Sequence, residues 1–369
     1  YIALELLSFS LYVLAAYAKD SAKSNESALK YIIVGAVSSA ILLYGVSMVY
    51  STLGVTKFED IAIGLASASE VAPALWVGVG LILVGLMFKV SAVPFHMWAP
   101  DVYEGAPFPV TAYLAIGSKA AAFALVLRLF SEGFLPAADQ WRIVVAVMAA
   151  ITMLTGNLVA LAQHNIKRLM AYSSVGQVGI ILTGVAALSA DSILPASGVM
   201  LYLVGYSLTN MLVFAGLISF FNMTGREDIS AFRGLADGQP FLAATIAIGL
   251  FSLGGMPIFA GFTIKFYLFT ALASQGLLWL AGLAIFSSLI SLYYYLQVIR
   301  QMYIRPVEEV AEAIAGEEVY IPTGPEVSTS PLILMVQSVS LVGVFWVGVY
   351  PAPFLAVIDA ASHAILPGL

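Results

Sequence analysis

Ten long apolar stretches dominate this sequence, and little charge is left between them to coat a surface in water. They cover residues 2–18, 31–50, 75–98, 109–129, 143–162, 169–188, 193–221, 240–273, 277–299 and 332–350. A helix crossing a bilayer needs roughly 20 apolar residues. The pattern therefore predicts an all-α polytopic membrane protein with about ten transmembrane helices. Charged residues make up only 10% of the 369 positions, against about 25% in a soluble domain. That shortage excludes a soluble enzyme, a disordered chain and a nucleic-acid binder, and it makes the lipid bilayer the chain's first partner.

Cysteine is absent and only three histidines occur, at His96, His164 and His363. Disulfides, thiolate-held iron–sulfur clusters and cysteine zinc sites are thereby excluded from this chain. The net charge of −6 is local: Glu308, Glu309, Glu312, Glu317, Glu318 and Glu326 crowd one segment. That segment, 300–331, reads as a solvated acidic loop. Apolar periodicity begins at Tyr1 with no basic region before it, so no signal peptide is expected and the sequence reads as starting inside its first helix.

The basic residues assign an orientation. Lys19, Lys23, Lys30, Lys167, Arg168, Arg226, Arg233, Arg300 and Arg305 fall in loops after odd-numbered spans, and Lys57, Arg128 and Arg142 fall on the other side. The positive-inside rule places the first group in the cytoplasm and both nominal chain ends outside it. Trp141, Trp346 and Tyr350 stand at span ends, where amphipathic rings favour the interface.

Three basic residues remain, Lys89, Lys119 and Lys265, and all lie within spans. Each costs about 2.5–3.5 kcal/mol to insert. Lys119 lies ten residues into its span, about 15 Å deep, too far to snorkel. Glu5 is the one acid clearly inside a span. Burial disfavours an ammonium and a nearby carboxylate favours it. A lysine held between those effects changes protonation when a neighbouring charge moves, which suits a proton relay.

Two spans are broken, at Pro94 and at Gly254-Gly255-Met256-Pro257. Irregular backbone at membrane depth is tolerated only inside protein or beside a water-filled cavity. Phe88 to Pro94 parallels Phe251 to Pro257, five spans apart, so the two copies run in opposite directions, as in an inverted repeat. Lys89 then aligns with Ser252. The weaker signals each have two readings. His96, after the first break, passes protons or merely packs. Asp101 and Glu104 collect protons or cap the next helix. Ser173, Ser174 and Gly176 read as close helix packing.

The run from Phe88 through Lys89, Pro94, His96, Trp98, Asp101 and Glu104 to Pro107 resembles the subunit N (subunit 2) family of complex I, the proton-pumping NADH:quinone oxidoreductase. Gly117 to Phe123, Gln163 to Ser174, Gly254 to Lys265 and Leu4 to Ser8 continue the resemblance. The family is shared with antiporter-like subunits of cation/proton antiporters and membrane-bound hydrogenases. The resemblance implies fourteen helices in two inverted five-helix repeats, each with a proline-broken helix. The ten spans here are then helices five to fourteen, with residues 1–129 in the first repeat, 143–299 the second, and 332–369 a C-terminal helix and tail. Position by position, it pairs Glu5 with Lys89, makes Lys119 the central relay lysine and Lys265 the terminal one, and adds Lys30, with His96, at the cytoplasmic entrance. It implies no cofactor in this chain, with NADH, flavin, iron–sulfur clusters and quinone in partner subunits, and other membrane-arm subunits as partners in a bacterial plasma membrane. The expected function is proton translocation coupled to quinone reduction elsewhere. A subunit of a cation/proton antiporter or hydrogenase complex, and a non-conducting scaffold, are the alternatives.

Overall fold

The computed structural model describes residues 1–67, 73–303 and 330–366. The acidic segment expected over 300–331 falls almost wholly outside the described residues. Within them the chain is helical, apart from two isolated bridges at Asn165–Asp228 and Ser189–Ser192. Lipid offers no hydrogen bonds to a bare backbone, so continuous helix is the form such apolar runs must take.

Helices occupy all ten apolar stretches. They are α1 (Ile2–Ala15), α2 (Ala22–Leu53), α4 (Pro73–Val90), the helical run Phe108–Gly133, α8 (Ala138–Ala160), α9 (Ile166–Ala186), α10 (Leu194–Thr224), the broken pair α12 (Pro240–Gly254) and α13 (Ala260–Ser274), α14 (Leu278–Tyr303) and α15 (Pro331–Val349). Among the described residues eight helical runs are long and apolar enough to cross a membrane, and α1 and the broken pair α12–α13 are shorter apolar helices. Short helices α3 (Phe58–Ser67), α5 (Trp98–Gly105), α11 (Leu235–Gly238) and α16 (Ala352–Ile365) lie between or after them. The run Phe108–Gly133 comprises α6 (Phe108–Tyr113), a π turn at Leu114–Ser118, α7 (Lys119–Arg128) and a second π turn at Leu129–Gly133.

Several boundaries differ from expectation. Helix α2 begins nine residues before the stretch at 31–50, because the Ser21 hydroxyl caps it by accepting from Ser24 N at 3.3 Å. Lys23 and Lys30 therefore stand on a helical extension and not in a loop. Trp141 is no interfacial ring: it is buried, and its indole donates to Phe134 O at 2.8 Å. Trp346 and Tyr350 are exposed.

Helix α9 is the central strut, buried along nearly its whole length and packed against α8, α10, α5, α13 and α14. Its contact with α8 is close because glycines let the backbones meet. A Cβ on Gly156 would lie 2.4 Å from Gly176 N, and one on Gly179 would lie 2.4 Å from Met153 N. Small residues serve this purpose where lipid supplies no hydrophobic drive for helices to associate.

The two breaks are built alike. After α4, Ser91 takes φ 62 and the Val93–Pro94 bond is cis. The Phe88 carbonyl accepts from the Trp98 indole at 3.0 Å. After α12, Gly255 takes φ 89, a conformation that costs glycine little. The Leu253 carbonyl accepts from Lys265 Nζ at 2.8 Å. Each break thus gives a carbonyl to a side chain from beyond it.

The close α8–α9 contact has a measurable consequence. Gly156→Ala and Gly179→Ala should each cost about 1–3 kcal/mol, since the obstructing atoms are backbone. Gly80→Ala, with nothing within 4 Å of the added Cβ, should be neutral or stabilising by up to about 1 kcal/mol. Thermal unfolding in detergent reads the opposite signs.

Candidate functional site

Glu5 and Ser8 are three residues apart on α1 and share a face. Ser39 comes from α2, and Lys89 is the penultimate residue of α4. The structure brings all four together. Lys89 Nζ lies 3.5 Å from Glu5 Oε1, donates to Ser8 Oγ at 2.7 Å and to Ser39 Oγ at 3.2 Å, and Ser39 in turn donates to Glu5 Oε1 at 2.7 Å. Lys89 is 8% exposed and Glu5 16%. The matching place after five spans is neutral: Thr209 on α10 and Ser252 on α12 share a hydrogen bond of 3.0 Å.

Lys119 comes directly after the first π turn. Such turns insert one residue into the helical repeat and re-aim the side chains beyond them. The amine is 2% exposed and is hydrogen-bonded to Ser174 Oγ on α9. Ser174 Oγ also accepts from Tyr206 at 3.1 Å and meets Tyr103 at 3.3 Å, with the Tyr103 ring centroid 5.9 Å from the amine. Among the described residues no acid pairs with Lys119 or with Lys265.

Lys265, 4% exposed, meets the same ladder one turn further on. Its partner, the Leu253 carbonyl, also accepts from Gln177 Nε2 at 3.2 Å. Gln177 accepts from Tyr202. Ser174 and Gln177 are three residues apart on α9, and Tyr202 and Tyr206 four apart on α10, so each pair presents one face. These two faces carry hydroxyls and an amide from Lys119 to Lys265. The sequence reading missed Tyr103, Ser174, Gln177, Tyr202 and Tyr206, and it took Ser174 for packing. The signal was the helical spacing of polar groups within otherwise apolar spans; Gly176 does pack closely, facing Asn157.

Lys30 and His96 are not hydrogen-bonded to these lysines. Lys30 is exposed and paired with Glu26 and Asp101, each at 2.8 Å. His96 is half-buried, its ring 6.5 Å from that of Tyr172. Asp101 and Glu104 cap no helix. Both bind Arg168, at 3.0 and 2.7 Å, and Glu104 also binds Lys23 at 2.7 Å. Lys167, buried, donates to the Glu104 and Ala106 carbonyls at 2.9 and 3.0 Å and pairs with Glu227 at 2.7 Å. An ionic belt thus ties α2, α5 and α9 together at the end that carries most basic residues. Burial alone would raise the carboxyls of Asp101 and Glu104. Hydrogen bonds from Lys30 and Arg168 to the first, and from Lys23 and Arg168 to the second, hold both below the usual carboxylate range.

Comparison with known proteins gives the class of membrane protein in which this arrangement of buried charges occurs. Residues 1–291 match the family described as NADH:quinone oxidoreductase/Mrp antiporter, TM. NADH-quinone oxidoreductase subunit N of Rhodospirillum rubrum is 41% identical over 366 residues, covering 99% of this chain and 71% of that protein. NAD(P)H-quinone oxidoreductase subunit 2 of Nostoc punctiforme is 43% identical over 317 residues, covering 85% and 59%. In structure, a chain of respiratory complex I from Thermus thermophilus matches with TM-score 0.78 and 33% identity, over 96% of this chain and 73% of that one. A chain of the Mrp complex from Dietzia sp. has the same fold, with TM-score 0.82 at 23% identity. The chain belongs to the NADH:quinone oxidoreductase/Mrp antiporter membrane-subunit family, as an antiporter-like membrane subunit of the NADH:quinone oxidoreductase type. No group of three or more potential metal ligands occurs among its described residues.

The belt predicts a pH signature. A carboxyl held low when folded contributes stability that is complete above its unfolded value and lost as pH falls through its folded one. The melting-temperature gap between the native chain and Arg168→Gln should stay constant from about pH 7 to 5 and close below about pH 4. Thermal unfolding in detergent across that range measures it.

Proposed function

We propose that this subunit carries protons across the membrane along Glu5, Lys89, Lys119 and Lys265, driven by quinone reduction in partner subunits. The observation that carries the reading is a pair of hydrogen-bonded groups one helical turn apart on the same faces of α9 and α10: Lys119 with Ser174 and Tyr206, and Lys265 with the Leu253 carbonyl, Gln177 and Tyr202. Neither amine has a described acid partner, and water bridging the step between the two groups completes the ladder. Residues 1–129 and 143–299 act as two oppositely oriented units, and the ionic-belt end faces the cytoplasm of a bacterial plasma membrane. Protons enter near Lys30 and His96 and leave on the far side beyond Lys265. The relatives' names give NADH and quinone, and on this reading those two, with flavin and iron–sulfur clusters, belong to the partner subunits.

The chemistry derives from the surroundings of each amine. Lys89 has a carboxylate at 3.5 Å and two hydroxyls, a set that stabilises its ammonium. Lys119 and Lys265 have neutral acceptors only, so each is poised to take a proton or to give one up. Two unit charges about 4 Å apart interact by about 4 kcal/mol at an effective dielectric constant of about 20. Separating Glu5 from Lys89 therefore leaves two uncompensated charges and changes the field felt by the neighbouring lysines. Hydroxyls accept and donate at once, so the ladder orders the water and protons between the lysines without holding charge.

Lys119→Ala should abolish translocation in vesicles holding the assembled complex, while the complex still assembles. Ser174→Ala should slow it by about tenfold, the rate equivalent of one lost hydrogen bond to a charged group. Undiminished pumping in Lys119→Ala would overturn the reading.

A further inference from the structure

A cavity of about 520 Å³ lies at the belt end of the bundle, with Gln163, His164, Asp228, Tyr294, Gln297 and Gln301 in its walls. Neither Lys30 nor His96 lines it. Gln301 Oε1 is buried with no hydrogen-bond partner among the described residues, an acceptor of the kind that water satisfies. A polar recess of this size at a loop end of a membrane bundle holds water readily.

Tyr294 connects this recess to the interior. It is fully buried, and its hydroxyl donates to Asn157 Oδ1 at 2.8 Å. Its ring centroid is 4.5 Å from that of Tyr295. The Tyr295 hydroxyl is hydrogen-bonded to Ser173 and interacts with Gln177. Gln177 is the amide that already sits on the Leu253 carbonyl beside Lys265. Two adjacent tyrosines therefore stand between the recess and the Ser173–Gln177 face of α9, on its α14 side, away from the Glu5–Lys89 cluster.

We propose that this cavity is a second proton entrance, delivering protons through the Tyr294 and Tyr295 hydroxyls to the ladder between Lys119 and Lys265. The inference rests on the relay reading above and adds to it an uptake route independent of Lys30 and His96. Water in the recess, beside His164 and Asp228, supplies the proton. At each tyrosine an incoming proton bonds to an oxygen lone pair as the outgoing O–H bond breaks, so each hydroxyl is restored. Water bridges hydroxyls that do not touch. The proton ends on a lysine amine, which becomes an ammonium. Gln177 carries no proton and holds the Tyr202 and Tyr295 hydroxyls in place.

The test uses the assembled complex in sealed vesicles, with quinone reduction and proton translocation recorded together. The Tyr294→Phe/Tyr295→Phe double variant keeps both rings and removes both hydroxyls. Its protons moved per quinone reduced should fall by about half, short of the complete loss in Lys119→Ala because the Lys30 and His96 entrance stays open, with the amount of assembled complex unchanged. In a second arm, Gln297→Cys is placed in the otherwise cysteine-free chain, and the assembled complex is treated with a cationic methanethiosulfonate. Translocation should fall about twofold relative to the native complex treated in the same way, and recover on reduction. Normal translocation in the double variant, or in fully modified Gln297→Cys verified by mass, overturns the entrance while leaving the relay reading intact if Lys119→Ala is still inactive. Normal translocation in Lys119→Ala overturns both. If the double variant does not assemble, the Gln297→Cys arm decides alone.

Discussion

Lipid gives polar groups nothing to bond to, and the arrangement of this bundle stems from the need to satisfy each of them from within. Helices do this for most of the backbone. Where α4 and α12 stop short, the freed carbonyls must find side chains, and they find the Trp98 indole and the Lys265 amine. The second solution makes one residue serve two ends. Lys265 completes the backbone of the break, and the break in turn gives a buried amine an acceptor that carries no charge.

The two breaks show how one local design acquires different chemistry. The first is flanked by Glu5, Ser8, Ser39 and Lys89, an ionised cluster with balanced charge. The second has Thr209 and Ser252 in the same relation, a neutral pair. The buried lysine of the second break, Lys265, stands thirteen residues after Ser252, on α13. Helix α9 then bridges the halves, because the face bearing Ser174 and Gln177 is the one that both Lys119 and the Leu253 carbonyl reach. The belt of Lys23, Lys30, Asp101, Glu104, Lys167 and Arg168 closes one end, tying the segment after the first break to α2 and α9.

Much of this was legible in the residues. Apolar length marks a helix whatever the neighbours are, so a helix could be placed in every one of the ten stretches, with edges off by up to nine residues where caps such as Ser21 or the π turn at Leu129–Gly133 extend it. Helices α3 and α16 were not anticipated, being too short for a crossing. Glu5, Lys89, Lys119 and Lys265 stood out because a charge in an apolar run is costly wherever it sits. Their partners did not stand out. A serine or tyrosine in a span is inexpensive and common, so Ser174 was read as packing, and Tyr103, Tyr202 and Tyr206 were passed over.

The sequence by itself determined that the chain lives in lipid, where it crosses, where two crossings break and which four charges lie inside, because each of these depends on composition along a single helix. Only the tertiary structure decided that Glu5 meets Lys89 while Lys119 and Lys265 meet neutral groups, and that α9 and α10 supply the ladder between them. Those outcomes depend on the rotation and depth of helices far apart in sequence. Such variables are set by glycine-mediated contact, as between α8 and α9, and by the π turn before Lys119, neither of which apolar periodicity encodes.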